Sequence, residues 1–159
     1  MIALKNILVA TDFGEASDAA LAYGRALAKA FGATLHVIHI ADNLFLRPVV
    51  GDPRSLEEAA LRRIHARLTD EDRRALRARV VVESSDGPAD AIVRYAAASD
   101  VDLIITGTHG RRGVVHALVG SVAEEIVRTA ACPVLTVKHP QREFVMPAVE
   151  LQAVPCGAG

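Results

Sequence analysis

Short, unbroken apolar runs alternate along this chain with longer stretches in which apolar positions recur at helical spacing. "NILVATD" is apolar and closes on Thr11 and Asp12, which predicts a buried strand and then a turn. "ASDAALAYGRALAKAF" places Ala20, Tyr23, Leu27 and Phe31 on one helical face, and Gly32 follows as a stop. "TLHVIHI" predicts a second strand. From Asp42 to Pro53 there are two prolines and no period, so this stretch is expected to be a mobile loop that orders on ligand binding. "SLEEAALRRIHARL" predicts a helix, with Ser55 and Glu58 as a capping box, and "TDEDRRAL" predicts a further short helical turn. "RARVVVES" is a third strand. "DGPADAIVRYAAAS" is a helix with Pro88 at its start, where a missing N–H costs nothing. "VDLIITG", "SVAEEIVRTA" and "PVLTVK" complete the order as strand, helix and strand.

Continuous apolar strands separated by amphipathic helices predict an α/β fold: a doubly wound parallel sheet with helices on both faces. In such sheets ligands bind outside the carboxyl ends of the strands, where the strand order reverses. Residues 1–138 are expected to form one domain and residues 139–159 a C-terminal tail, with scattered apolar residues, three prolines and a Gly-Ala-Gly end.

Composition narrows the function. With 159 residues, 51% of them hydrophobic, the chain is long enough to bury a core, and 4% aromatics means a core of Val, Ile, Leu and Ala. A net charge of −1 argues against general binding to nucleic acid or an acidic membrane surface. No apolar run reaches the roughly 18–20 residues needed to span a bilayer. "MIALKNILVATD" lacks the layout of a signal peptide. Cys132 and Cys156 form neither a CxxC pair nor a disulfide framework. A cytoplasmic location is expected.

The chemistry concentrates in "GTHGRRGVVHALVGS", residues 107–121. A strand ends at Gly107, small residues follow, and a helix opens at Gly120 and Ser121. That arrangement is an anion site, because glycines let backbone N–H groups approach an oxygen and a helix N-terminus favours negative charge. Ser121 has a hydroxyl to donate, and Arg111 and Arg112 are candidates for charge-assisted bonds at the rim. The alternative is structural: Gly107 and Gly110 making a tight turn, and Gly120 letting a helix pack closely. The stretch is neither a GxxxxGK[ST] loop nor GxGxxG.

Gly107, Gly110, Gly120 and Ser121 stand in the spacing G-x2-G-x9-G-[ST], and in this the chain resembles the ATP-binding branch of the universal stress protein family. "KNILVATDFGEASDAAL", "LHVIHI", "DLIITGTHGRRG" and "VRTAACPVLTVK" are similar to that family in order, over about residues 2–138. The resemblance implies a five-stranded parallel sheet in the order 3-2-1-4-5, of the adenine nucleotide alpha hydrolase-like type. It implies ATP, with Mg2+, across the carboxyl ends of strands 1 and 4. Asp12 would contact the ribose or adenine side, beside Ala10 and Thr11, and Ile40 would contact the base. Thr106, Gly107 and Gly110 would flank ribose and phosphates, with His109 shaping the loop or touching phosphate. Gly120, Ser121 and Val122 would hold the phosphates. The family also implies a homodimer through strand 5, Pro133 to Lys138. Where members often carry Ser after "DF", this chain has Gly14, which removes a helix-capping hydroxyl.

Other candidates read as structural. A receiver-type phospho-acceptor role for Asp12 would need an acidic pair after strand 1 and an aspartate after strand 3, where Glu83 and Asp86 are poor substitutes. His36 and His39 lie three apart on a strand, hence on opposite faces, and cannot share a metal. Cys132 is expected to be a small buried apolar residue, and Gly24 to permit close helix packing. Glu124 and Glu125 favour the helix dipole. No GxSxG, HExxH or paired Cys/His spacing is present, so no catalytic residues are assigned. The function expected is ATP-dependent sensing through a protein partner, with slow or no hydrolysis. A slow ATPase and a nucleotide-free dimeric scaffold are the alternatives.

Overall fold

The structure, a computed structural model, describes residues 1–41, 53–108 and 120–139. Among the described residues, five strands and five helices follow one another as β1 (Asn6–Ala10), α1 (Glu15–Phe31), β2 (Thr34–Ala41), α2 (Pro53–Arg67), α3 (Asp70–Ala75), β3 (Arg79–Ser84), α4 (Pro88–Ala98), β4 (Leu103–Gly107), α5 (Ser121–Thr129) and β5 (Val134–Val137). The strands form one sheet in the order β3-β2-β1-β4-β5, parallel throughout. The doubly wound architecture expected from the sequence is therefore the one observed.

Strand alternation divides the core in two. Ile7, Val9, Leu35, Val37 and Ile105 face a cluster completed by Ala20 and Tyr23 of α1 and Ala60 and Ile64 of α2. Leu8, Ala10, Ile38 and Ile104 face the opposite cluster, completed by Ala89, Ile92 and Ala96 of α4 and Ile126 of α5. Ile7, Leu8 and Val9 are wholly buried, which is why an uninterrupted apolar run, and not an alternating one, marks the central strand. Gly24 fulfils its expected role: a Cβ there would collide with Val9 Cγ2 and press on Leu35 Cδ1. Gly32 ends α1 in the left-handed conformation, φ 65°, with its N–H donating toward Ala28 O.

Ala20 and Tyr23 of α1 are buried, and Phe31, its last residue, is exposed at 42%. Two expectations fail in detail. Pro53 belongs to α2 and not to the preceding loop, so Ser55 is already helical and does not cap it. The capping box instead opens α3, where Thr69 Oγ1 accepts from Asp72 N and the Asp72 carboxylate accepts from Thr69 N. The rest of the expected mobile loop, residues 42–52, lies outside the described residues, as do Cys156 and the tail from residue 140. Among the described residues, no helix is long and apolar enough to cross a membrane.

Candidate functional site

The order β2-β1-β4 places the reversal of winding at the carboxyl ends of β1 and β4. Their register pairs Ala10 with Thr106, so two of the expected site residues are neighbours where the winding reverses. Beyond Ala10 the chain makes a tightly bonded turn. Thr11 N donates to Ile38 O at 2.9 Å, which anchors the turn to β2. Thr11 Oγ1 accepts from Phe13 N at 3.1 Å and shares a hydrogen bond with Ser17 Oγ at 3.2 Å. Ser17 Oγ also lies 2.9 Å from Gly14 O. Asp12 Oδ1 accepts from Gly14 N at 2.9 Å, closing an Asx turn around Phe13. Thr11 is thus buried and occupied in shaping the turn, and the Asp12 carboxylate is tied to the same turn through Gly14 N.

Gly14 stands at the N-cap of α1 in an extended conformation and, lacking a side chain, gives no cap bond. A Cβ at this position would come 3.0 Å from Asp12 Oδ1, so a serine there would press on the carboxylate.

Beyond the end of β4, Thr108 N donates to Val137 O at 2.9 Å, and Gly120 N donates to Thr108 O. The chain therefore leaves β4 and returns to α5 at one point, with residues 109–119 between. His109, Gly110, Arg111 and Arg112 fall in that segment, outside the described residues. Gly120 caps α5 in an extended conformation (φ −64°, ψ 147°) without a side-chain bond. Its own N–H is committed to Thr108. The first-turn amides without an intrahelical acceptor are then those of Ser121, Val122 and Ala123. Ser121 is exposed, Val122 partly buried, and Ile40, near the end of β2, half-buried. Gly107 has a structural duty that the sequence does not show: a Cβ there would sit 2.8 Å from Ala16 C and Cβ and 2.9 Å from Ser17 N. It lets the first turn of α1 lie directly on the end of β4.

Sequence reasoning missed several contributors to this corner. Thr108 and Ser17 tie the turn and the helix start, and Phe13 adopts φ 65°, an unusual conformation for a bulky residue. Only the hydroxyl types and the short spacing to Asp12 hint at them.

The two strand histidines do lie on opposite faces. His39 shares a hydrogen bond with Thr11 O at 2.8 Å through Nδ1 and packs on Phe13. His36 is buried beneath α4, with Nδ1 2.8 Å from the Tyr95 hydroxyl and Nε2 buried without a partner among the described residues. Burial, and secondarily the charge of Arg79, lowers its pKa below 6.5. The unfolded chain then binds a proton that the folded chain refuses. This contribution to stability is present above pH 6.5 and is lost as pH falls from 6.5 toward the lower folded value. Urea unfolding from pH 7.5 to pH 5 should show a decline that is shallower in His36→Leu, and parallel profiles would refute the assignment. Cys132 is half-buried against the α4–α5 cluster, less enclosed than expected, and burial pushes its thiol up, away from reactivity.

The fold is a doubly wound α/β sheet whose winding reverses between β1 and β4. The profile of the Universal stress protein family matches residues 3–138, and the chain belongs to that family. The universal stress protein MJ0531 of Methanocaldococcus jannaschii is 34% identical over 150 residues, covering 87% of this chain and 85% of that protein. The structure of the universal stress protein UspA from Lactobacillus plantarum superposes with a TM-score of 0.69 at 21% identity, over 86% of this chain and 99% of that one. A universal stress protein solved in complex with cAMP superposes with a TM-score of 0.64 at 24% identity, over 86% of this chain and 98% of that one.

Proposed function

We propose that this protein binds an adenine nucleotide, ATP with Mg2+, across the carboxyl ends of β1 and β4. The observation that carries this is the juxtaposition there of the Asp12 turn and an α5 N-terminus that has no side-chain cap. Asp12 accepts from a ribose hydroxyl, Ile40 borders the base, and the amides of Ser121 and Val122 with the Ser121 hydroxyl receive phosphate oxygens. His109, Gly110, Arg111 and Arg112 complete the phosphate side, and Mg2+ arrives on the phosphates. A protein of this fold solved with cAMP supports the choice of an adenine ligand. Gly120 takes part by leaving room, since its N–H is bonded to Thr108.

In this proposal residues 1–138 are one nucleotide-binding domain, working in the cytoplasm as a stress-responsive regulator of a protein partner. Nucleotide shifts the protein toward the partner-binding state only as far as it prefers that state. Calorimetric titration with ATP and Mg2+ tests the proposal, with micromolar affinity expected, about −8 kcal/mol. Absence of binding at millimolar ATP would move the nucleotide-free scaffold to first place.

β5 lies at the edge of the sheet. Exposed edges favour pairing with another chain, and we place a homodimer contact at Pro133–Lys138. Light scattering at micromolar concentration should return twice the 16.9 kDa chain mass, and a monomer mass would defeat it.

A further inference from the structure

Phe13 is the residue around which the Asp12 turn closes, and its ring is gripped from two sides. The His39 ring lies 4.4 Å away between centroids, tilted by 43°. The Arg63 guanidinium carbon stands 3.9 Å from the ring centroid and that of Arg67 5.2 Å. Arg67 is fixed in turn by Asp18 of α1, at 2.6 Å. Phe13 is 8% exposed and has φ 65°. For a residue with a large side chain this conformation is disfavoured and persists only where the surroundings enforce it. The Asx bond from Gly14 N to Asp12 Oδ1 spans that same residue, so the carboxylate keeps this bond only while Phe13 stays in the left-handed region.

We propose that Arg63 is a positioning residue for Asp12: its cation over the Phe13 ring holds the turn, and thereby the carboxylate, in the orientation that receives a ribose hydroxyl. The proposal rests on the nucleotide-binding reading for its ligand, but its structural half does not. Arg63 is on the exposed face of α2, packed on the turn and not built into the core. Its contact with the Phe13 ring links it to the turn that carries Asp12. It follows that α2, which is fed by the segment leaving β2, reports on the Asp12 carboxylate and is biased by what that carboxylate binds.

The test uses Arg63→Gln and Arg63→Lys in the full chain. Amide hydrogen exchange of Gly14, measured without ligand, should accelerate in Arg63→Gln and recover in Arg63→Lys, which keeps a cation over the ring. Unchanged Gly14 exchange would overturn the proposal whether or not the protein binds nucleotide. Titration with ATP should show a loss of roughly threefold to tenfold in Arg63→Gln, the scale of a partly desolvated cation–π contact. Titration with 2′,3′-dideoxy-ATP, which lacks the ribose hydroxyls, should show no further loss on the same substitution. An equal loss for both ligands would mean that Arg63 acts on phosphate or on general stability, and would overturn it. Failure of the unsubstituted protein to bind either ligand would instead overturn the nucleotide reading, leaving the exchange of Gly14 to decide the role of Arg63.

Discussion

Gly107→Ala should destabilise the protein by about 1–3 kcal/mol, the usual cost of overpacking a filled interior. The added methyl would lie 2.8 Å from Ala16 C and Cβ and 2.9 Å from Ser17 N, and two of these three atoms belong to the α1 backbone. No rotamer change relieves such a contact. The helix must move away from the sheet, and Ser17 is not at liberty to follow, because its hydroxyl is bonded to Thr11 and to Gly14. Gly107 does not have a positive φ, so alanine gains the roughly 0.4–1 kcal/mol that a lost glycine returns through the unfolded chain, and the clash outweighs it. Urea unfolding of the variant gives the difference directly. A stability equal to that of the unsubstituted protein would mean that α1 does not rest on β4 as closely as described. Nucleotide affinity should fall in the same variant, since displaced Ser17 pulls on the turn that carries Asp12.

Gly120→Val should abolish most nucleotide binding and leave the fold intact. The backbone at Gly120, φ −64° and ψ 147°, is extended and open to any residue, so valine introduces no conformational strain. The helix cap is already without a side-chain bond, and exchanging glycine for an apolar residue there costs at most about 1 kcal/mol. What changes is space. A branched side chain in front of the Ser121 and Val122 amides keeps phosphate oxygens out. Each lost hydrogen bond to a charged oxygen is worth about 1.5–3 kcal/mol, so affinity should drop at least roughly tenfold. Calorimetry beside far-UV circular dichroism separates the two effects. A folded variant that binds ATP as well as the unsubstituted protein would remove phosphate from the α5 N-terminus.

Why some of this was legible in the chain and some not follows from the range of the interactions. The five strands announce themselves because a parallel sheet covered on both faces needs apolar residues at every position, and Gly32 and Gly120 mark helix limits by purely local chemistry. Ser55 and Glu58 misled because their spacing recurs inside any amphipathic helix. The box at Thr69 and Asp72 uses an aspartate and a helix of only one or two turns. Gly107 has the right spacing for an anion loop, yet its contact with Ala16 joins residues far apart in sequence, and no local pattern encodes it. Phe13 is the sharpest case. Propensity alone would never place a phenylalanine at positive φ, and only the rings and cations brought in by β2 and α2 reveal what enforces it.

The bond from Gly120 N to Thr108 O has a bearing on how relatives of this chain can diverge. By joining residues 108 and 120 at the sheet's rim, it separates the geometry of the scaffold from the length and composition of residues 109–119. Lengthening such a tethered segment costs little, about 0.6 kcal/mol for each doubling. Under the proposed function, ligand preference can therefore be rewritten there by insertion, deletion or charge exchange, while β4, α5 and the Asp12 turn keep their places.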